Sequence, residues 1–405
     1  MTDESRPISI RRDFSLIAGE RVLGKDLPAL KRSLREILED DLVVPGGLDY
    51  VETMNCNPVG RPHLGNLFTV VKGDIFCRIL GVTPGYYVND LGLNFCKFLY
   101  NSRAFPNEDI EKLYVIYDPT DQELGPLRRE LFENYPEDGV RLRNEALKLI
   151  AEESRRFRLK DPVLYYESSY SNEVKSFLKR GTPSEKGLLC EGVQIATSDG
   201  IPLYICGDHH YRKEIDSSFN SKLICLGRDH TTYQKNLNTL TLKPWKVCFS
   251  PMVYFKGQKM SKRKRTCLYL KDVHSMLSEG NELREEDVMR YLKLFVIKYE
   301  KRDTLEVEQI LRESVNISEY LRLVERREYS SDEVSRSLES LEEWEVDDCL
   351  KVWANLREIC QYFIGKLEIN KLYKFLEHLH FMKKSVKTQV IHRALLDKFL
   401  DRLGL

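Results

Sequence analysis

Two segments of the sequence combine residue types that could carry chemistry, and the first lies between residues 51 and 67. It is rich in turn-forming residues and contains Gly60, His63, Gly65 and Asn66. An amphipathic pattern follows at once, so the segment predicts a loop that opens a helix. Such a helix start presents free backbone N–H groups, and glycines let a ligand approach the backbone closely. With His63 and Asn66 as side-chain donors, this chemistry favours a phosphate ligand, although alone the segment is more typical of a capped helix with a surface histidine.

The second segment is a basic loop about 200 residues further along the chain. Residues 256 to 265 hold six positive charges and no acid, and positions 259 to 262 read Lys-Met-Ser-Lys. A basic loop with a hinge at Gly257 can close over a triphosphate and neutralise the charge that develops as pyrophosphate leaves. A basic run by itself is more typical of a solvated face or a nonspecific polyanion patch. The order of the four residues favours the catalytic interpretation.

The composition predicts a folded protein without a global charge bias. The 405 residues are 42% hydrophobic, and 63 basic residues balance 63 acidic ones, so disorder is excluded as the main state and a polyanion would need local basic patches. No uninterrupted apolar run of about 18 residues occurs, and the first residues lack the apolar stretch of a signal peptide. The ten cysteines form no C-x-x-C pair, which favours buried, reduced thiols. We therefore expect a cytoplasmic protein.

The N-terminal half alternates short apolar runs with helical patterns. The runs predict strands at 85–88, 114–117, 163–166, 203–205 and 223–226. Strands separated by helices favour a parallel α/β sheet, in which ligands bind beyond the carboxyl ends of the strands. A helix predicted over 27–38 leaves the first 48 residues as a short appendage.

The C-terminal part of the chain predicts a helical domain. All 15 prolines lie at or before Pro251, and glycine also becomes sparse beyond that residue. A long tract nearly free of both residue types permits uninterrupted helices. One apolar stripe at helical spacing consists of Leu350, Trp353, Leu356, Cys360 and Phe363.

The two chemical segments together resemble the paired signatures of class I aminoacyl-tRNA synthetases. That resemblance implies a Rossmann-type catalytic domain over 49–275, with a connective insertion around 118–160. In such a domain His63 and Asn66 would hold the ATP phosphates, while Lys259 and Lys262 would stabilise the transition state of adenylate formation. The remaining ATP contacts would come from Gly60, Gly65, Met260 and Ser261.

Further segments resemble the arginyl-tRNA synthetases in particular. They are residues 52–67, the Y-x-N-D-x-G pattern at 87–92, the strand segment 161–168 and the S-D-G segment 198–208. The resemblance implies that Glu52 and Asn57 bind the α-amino end of arginine and that His230 closes the pocket. A guanidinium has five donors in a planar fork and needs carboxylates and neutral acceptors around it. The positions that match the family supply such groups at Glu167, Tyr204 and Asp208.

The resemblance extends to the helical region, which is similar to the family's all-α anticodon-binding bundle over 276–405. Residues 330–350 hold eight acids and one base, whereas 366–405 hold nine bases and four acids. The basic C-terminal helices are thus a candidate contact for tRNA, although any single residue there fits a solvated helix face equally well.

The sequence departs from the family pattern at four places. Asn66 replaces the second histidine of H-x-G-H, Asn55 stands where a serine is expected, and Arg265 stands where a glycine is usual. The fourth departure is the N-terminal domain, which is reduced here to at most 48 residues.

The resemblance implies a monomeric arginine–tRNA ligase. It would use ATP, accompanied by Mg²⁺ without a dedicated protein metal site, to form arginyl-adenylate. It would then transfer arginine to the terminal ribose of tRNA(Arg) and release AMP and pyrophosphate. Two alternatives remain open at this point, namely a paralogue that passes arginine to a different acceptor and a catalytically silent RNA-binding homologue.

Overall fold

The computed structural model describes residues 27–39, 47–54, 56–241, 243–262, 266–278, 283–324, 329–366, 369–381 and 386–405. Two of the departures from the family pattern, Asn55 and Arg265, lie outside the described residues. The strands are β1 Tyr50–Met54, β2 Pro84–Val88, β3 Val163–Tyr166, β4 Thr182–Ser184, β5 Gly187–Cys190, β6 Val193–Ala196, β7 Lys222–Gly227, β8 Lys246–Ser250, β9 Met252–Phe255, β10 Gln258–Lys259 and β11 Thr304–Glu306.

The helices follow the same chain order. They are Leu27–Glu39, Leu64–Leu80, Leu93–Ala104, Ile110–Ile116, Asp121–Glu133, Glu137–Arg156, Ser171–Leu178, Ile205–Ser218, Thr231–Leu240, Leu270–Ser278, Glu285–Tyr299, Val307–Glu313, Ile317–Leu323, Ser331–Glu339, Glu343–Lys366, Asn370–Phe381 and Val386–Leu403. Short 3₁₀ turns lie at Glu167–Tyr170, Arg228–His230 and Ser314–Asn316. None of the described helices is long and apolar enough to cross a lipid bilayer.

The chain forms two compact units. One comprises 47–77 and 81–318, and the other comprises 78–80, 319–405 and the described part of the first 46 residues. The boundary between compact units therefore differs from the domain boundary at 275/276 that the sequence predicts. Since compactness alone does not define a functional domain, that boundary stays a prediction.

A parallel five-stranded sheet forms the centre of the larger unit, with strand order β3, β2, β1, β7, β8. The chain builds β1, β2 and β3 outward in one direction and then crosses to the other side of β1 for β7 and β8. This reversal creates a crevice between the carboxyl ends of β1 and β7, which is where open α/β sheets bind ligands.

Three of the predicted strands are confirmed, namely β2, β3 and β7. The strand predicted at 114–117 is wrong, because residues 114–116 belong to helix Ile110–Ile116. Asp109 caps this helix by accepting a hydrogen bond from the Glu111 N–H, and the helix buries Leu113 and Tyr114. Capping and burial outweigh the β propensity of the run.

The strand predicted at 203–205 is also wrong, since helix Ile205–Ser218 begins there. Conversely, the sequence pattern did not reveal β1, the central strand of the sheet. All five of its residues are buried, but Glu52 and Thr53 interrupt the apolar run that usually marks such a strand.

The smaller unit consists of helices packed on one another. Helix Glu343–Lys366 contacts Leu27–Glu39 and Val386–Leu403, and Ser331–Glu339 also contacts Val386–Leu403. The helix predicted over 27–38 is thus confirmed, and it buries Leu30 and Leu34 within this unit. Of the predicted apolar stripe, Trp353, Leu356 and Cys360 are buried.

One glycine sets the spacing between β2 and the aromatic side chains behind the sheet. Tyr50 on β1 is 3% exposed, and its hydroxyl lies 2.7 Å from the Tyr211 hydroxyl on helix Ile205–Ser218. A Cβ atom on Gly85 would lie 1.6 Å from the Tyr50 hydroxyl oxygen. Only a residue without a side chain leaves room for this buried tyrosine pair.

We expect Gly85→Ala to lower the free energy of unfolding by roughly 1–3 kcal/mol, because Tyr50 must move within a packed core. Urea denaturation followed by circular dichroism measures the change. Gly125→Ala is the matched control, since its Cβ would meet nothing within 4 Å and alanine favours a helix. A Gly85→Ala variant as stable as the wild type would contradict this account of the core.

Candidate functional site

A cavity of about 380 Å³ opens at the carboxyl ends of β1, β7 and β8. Most of the residues that the sequence predicts for ATP line this cavity: His63, Gly65, Asn66, Lys259, Met260, Ser261 and Lys262. Gly60 lies beside it, because its carbonyl oxygen accepts a hydrogen bond from Lys262 Nζ at 3.1 Å. The fold therefore brings together two segments that are about 200 residues apart in the chain.

His63 and Asn66 cap the first turn of helix Leu64–Leu80 reciprocally. The Asn66 N–H donates to His63 Nδ1 at 3.3 Å, and the His63 N–H donates to Asn66 Oδ1 at 3.4 Å. A Cβ on Gly65 would lie 3.1 Å from His63 Cε1, so glycine leaves room for the imidazole. Because Nδ1 accepts, the neutral ring carries its proton on Nε2, which leaves that N–H available as a donor.

The cavity keeps His63 neutral. Burial lowers the pKa of His63 to about 3, and the charges of Lys262 and Lys259 contribute to the shift. At pH 7 the imidazole is therefore a neutral hydrogen-bond donor, and the positive charge of the cavity comes from the lysines.

The two signature lysines differ in their partners. Lys262 Nζ donates to the carbonyl oxygens of Val59 and Gly60, and burial lowers its pKa to about 8. Lys259 Nζ lies 2.6 Å from Asp229 Oδ2 in a half-exposed ion pair. Lys262 is thus already held at the first segment, whereas Lys259 pairs with an acid that a ligand could replace.

Three acidic side chains converge next to this cavity from separate elements. Glu52 lies on β1, Glu167 begins the 3₁₀ turn after β3, and Asp208 lies in the first turn of helix Ile205–Ser218. Glu52 and Glu167 are buried, and Asp208 accepts a hydrogen bond from the Tyr233 hydroxyl. The Glu167 carboxylate accepts a hydrogen bond from the Leu91 N–H at 3.1 Å.

The pKa values of all three carboxyl groups are raised, and the charge of Asp208 contributes to the shifts of the other two. Burial, followed by the charge of Asp208, raises the pKa of Glu52 to about 8 and that of Glu167 well above its usual range. Burial raises the pKa of Asp208 to about 6. Asp208 is therefore the most readily ionised of the three, and the group is poised to receive a cation.

One buried polar atom of these acids, Glu52 Oε2, has no hydrogen-bond partner among the described residues. Buried polar atoms are nearly always paired in folded proteins. An unpaired acceptor among carboxyl groups whose pKa values are raised suits a ligand that carries positive charge and several N–H donors.

The chain is similar to known arginine–tRNA ligases in sequence and in structure. No family model matches it. It is 26% identical over 315 residues to the arginine–tRNA ligase of Wolbachia sp. subsp. Brugia malayi. The aligned region covers 62% of this chain and 53% of that protein. It is also 26% identical over 227 residues to the arginine–tRNA ligase of Campylobacter fetus subsp. fetus, covering 45% and 41%. The chain thus spans about half the length of the curated relatives it matches.

The structural similarity extends over nearly the whole chain. The Thermus thermophilus arginyl-tRNA synthetase superposes with a TM-score of 0.63 and 13% identity, covering 94% of this chain and 85% of that one. The Plasmodium falciparum arginyl-tRNA synthetase gives a TM-score of 0.59 and 14% identity, covering 94% and 82%. The chain has the arginyl-tRNA synthetase fold. The resemblance that the motifs indicate is confirmed, and so is an α/β domain with a parallel sheet combined with a helical domain.

Within this arginyl-tRNA synthetase fold, the six residues predicted for arginine do not line a single cavity. Asn57 and His230 line the larger cavity, whereas Glu167 and Tyr204 line a second one of about 220 Å³. Glu52 and Asp208 line neither cavity, but the charge of Asp208 raises the pKa of both Glu52 and Glu167. The Tyr204 ring is stacked on the Tyr233 ring at a centroid distance of 4.6 Å.

Sequence reasoning missed Asp229, which lies in the larger cavity and pairs with Lys259. Burial alone would raise its pKa, but the hydrogen bond and charge of Lys259 hold the pKa below its usual value. The available signal was its position just after β7 and next to His230.

No group of three or more metal-binding side chains occurs among the residues described.

A second missed group supports Glu167 in this synthetase fold. The buried Asp90 accepts hydrogen bonds from the Ser168 N–H and Oγ, each at 2.8 Å, and pairs with Arg143 Nη1 at 2.7 Å. The Arg143 guanidinium also lies 4.2 Å from the centroid of the Tyr166 ring. Asp90 belongs to the Y-x-N-D-x-G segment, but nothing in the sequence marks Arg143.

The raised pKa of Glu52 predicts a pH-dependent stability. A carboxyl group whose pKa rises from 4.5 to about 8 on folding stabilises the fold when protonated, and this stability is lost as pH rises through that window. Glu52→Gln stays neutral throughout, so its free energy of unfolding should exceed that of the wild type by roughly 2–4 kcal/mol near pH 9 and match it near pH 4.5.

Urea denaturation at several pH values measures this difference. Glu185→Gln, which changes an exposed carboxylate, is the control and should follow the wild type. A constant difference between Glu52→Gln and the wild type across the pH range would contradict the assignment of Glu52 as a buried, protonated acid.

Proposed function

We propose that this chain is an arginine–tRNA ligase. It activates L-arginine with ATP to form arginyl-adenylate and transfers the arginyl group to the 3′-terminal ribose of tRNA(Arg), with release of AMP and pyrophosphate. The observation that carries the proposal is the group of three interacting acids, Glu52, Glu167 and Asp208, next to a basic cavity. Acids suit the cationic side chain of arginine, and the basic cavity suits a triphosphate.

The residues of the larger cavity bind ATP in this proposal. His63 donates through Nε2–H and Asn66 through its side-chain amide, while Lys259 and Lys262 stabilise negative charge as the arginine carboxylate attacks the α-phosphorus and pyrophosphate leaves. Gly60, Gly65, Met260 and Ser261 form the walls around the nucleotide. Since the reaction needs no protein nucleophile, catalysis consists of positioning and charge stabilisation.

The acidic group selects arginine. Glu167, Tyr204 and Asp208 receive the guanidinium, whereas Glu52, Asn57 and His230 serve the α-amino end. Neutral amino acids are rejected because they leave buried carboxyl groups unpaired. Lysine carries the right charge but lacks the planar fork, so geometry excludes it.

The remaining partners follow from the same reaction. Mg²⁺ accompanies the ATP phosphates and neutralises their charge, and it needs no site of its own on the protein. The helical bundle binds tRNA, with the basic helices toward the C-terminus as the contact. The enzyme acts as a monomer in the cytoplasm.

Arginine-dependent ATP–pyrophosphate exchange, measured with and without total tRNA, tests this function. We expect exchange together with formation of arginyl-tRNA. Exchange without any charging of tRNA would instead indicate transfer of arginine to another acceptor. Absence of exchange under both conditions would refute the adenylation chemistry altogether.

We expect Asp208→Ala to reduce arginine-dependent exchange by at least about 100-fold, because the guanidinium loses a half-buried carboxylate partner. ATP binding should remain nearly unchanged, since Asp208 does not line the larger cavity. Exchange kinetics and calorimetric ATP titration provide the two measurements. Glu173→Ala, which removes an exposed acid, is the control. Normal turnover of Asp208→Ala would refute the pocket assignment.

A further inference from the structure

Helix Ile205–Ser218 carries a fully buried arginine one turn after Asp208. Arg212 is 2% exposed, and its Nη1 donates to Asn238 Oδ1 at 3.1 Å. Its Nη2 donates to Gln234 Oε1, and the guanidinium carbon lies 4.8 Å from the centroid of the Trp245 ring. Within the part of the chain that the structure describes, all of these direct partners are neutral.

A buried guanidinium with neutral partners needs opposite charge nearby, because desolvation of an unbalanced ion is costly. Asp208 and Arg212 are four residues apart in one helix, so their side chains lie on the same face. The neighbouring helix Thr231–Leu240 binds both of them through consecutive residues, with Tyr233 donating to Asp208 and Gln234 accepting from Arg212. Hydrogen bonds from this one helix therefore fix the positions of the Asp208 and Arg212 side chains relative to each other.

The charge of Arg212 opposes the effect of burial on the acidic group. It lowers the pKa of Asp208 and of Glu52, although burial remains the larger influence on both. The outcome is a pKa of about 6 for Asp208, which is therefore ionised at neutral pH. Glu52 and Glu167 have higher pKa values, so Asp208 carries most of the charge of the empty pocket.

We propose that Arg212 is a positioning residue, the internal counter-ion that keeps Asp208 in its carboxylate form before the cationic amino acid enters. The identity of that amino acid rests on the proposed function. The electrostatic role of Arg212 does not, because it concerns the ligand-free protein.

Several other titratable groups also face Asp208 from the surrounding elements. They are Glu52 on β1, Tyr87 on β2, Glu167 after β3, Tyr204 and Cys206 at the start of its own helix, and Tyr233 on the next helix. Every one of these groups is neutral or negative across the working pH range. Arg212 is thus the cation among the described groups that favours the Asp208 carboxylate.

Carbon-13 NMR of protein labelled at aspartate carboxyl carbons tests the proposal without any ligand. Comparison with Asp208→Asn assigns the Asp208 resonance. We expect the titration midpoint of Asp208 to rise by about one pH unit or more in Arg212→Met, and to stay near the wild-type value in Arg212→Lys. Arg212→Gln is a second neutral variant in case the methionine variant does not fold. An unchanged midpoint in a folded neutral variant overturns the proposal.

Calorimetric titration with L-arginine provides the second arm. Arg212→Met should bind arginine at least about threefold more weakly than the wild type near pH 6.5, because a rise of one unit from a pKa of about 6 reduces the ionised fraction of Asp208 by that factor. Its affinity should approach that of the wild type near pH 9, where Asp208 ionises without help. Asn238→Ala is the structural control, since it removes a hydrogen bond but keeps the charge, and it should retain the wild-type pH profile. Equal weakening by Arg212→Met at both pH values overturns the proposal.

The two arms separate the possible failures. If the wild type does not bind arginine, the proposed function fails, and the NMR titration still decides the role of Arg212. If the wild type binds arginine but the Asp208 midpoint does not depend on Arg212, only the present inference fails.

Discussion

The site depends on burying several carboxyl groups behind one parallel sheet. Glu52, Glu167 and Asp208 reach this region from a strand, a 3₁₀ turn and a helix, and the charge of Asp208 raises the pKa of the other two. Such a group is stable only if its protons, its hydrogen bonds and its nearby cations are controlled. The Tyr233 hydroxyl and the Leu91 N–H supply hydrogen bonds, and Arg212 supplies charge.

The strand order explains how acidic and basic chemistry come to lie side by side. Because the chain reverses direction across the sheet at β1, the ends of β1 and β7 open onto one crevice. His63 follows β1, and Asp229 follows β7. The hairpin β9–β10 turns at Lys256 and Gly257, both with positive φ, and delivers Lys259 to the same crevice. The crevice thus holds both signature lysines together with His63 and Asp229.

Much of this site could be predicted from the sequence, because its residues occur in short segments with characteristic spacing. The segment 60–66 predicted a helix start, and His63 and Asn66 do cap that helix. Predictions failed where the local pattern conflicted with the fold. Residues 114–116 have β propensity but complete a capped helix. The sequence pattern did not reveal β1, because Glu52 and Thr53 break its apolar run.

The sequence by itself determined the fold class, the family resemblance and the candidate residues of both segments, since these follow from local order and residue type. Only the tertiary structure decided the charge state of the site. Lys259 pairs with Asp229, and Asp90 with Arg143 supports Glu167, so residues far apart in the chain come into contact. Arg212 is buried near Asp208, away from water. The pKa values depend on the distances between charged groups and on their burial, and neither can be read from the spacing of residues along the sequence.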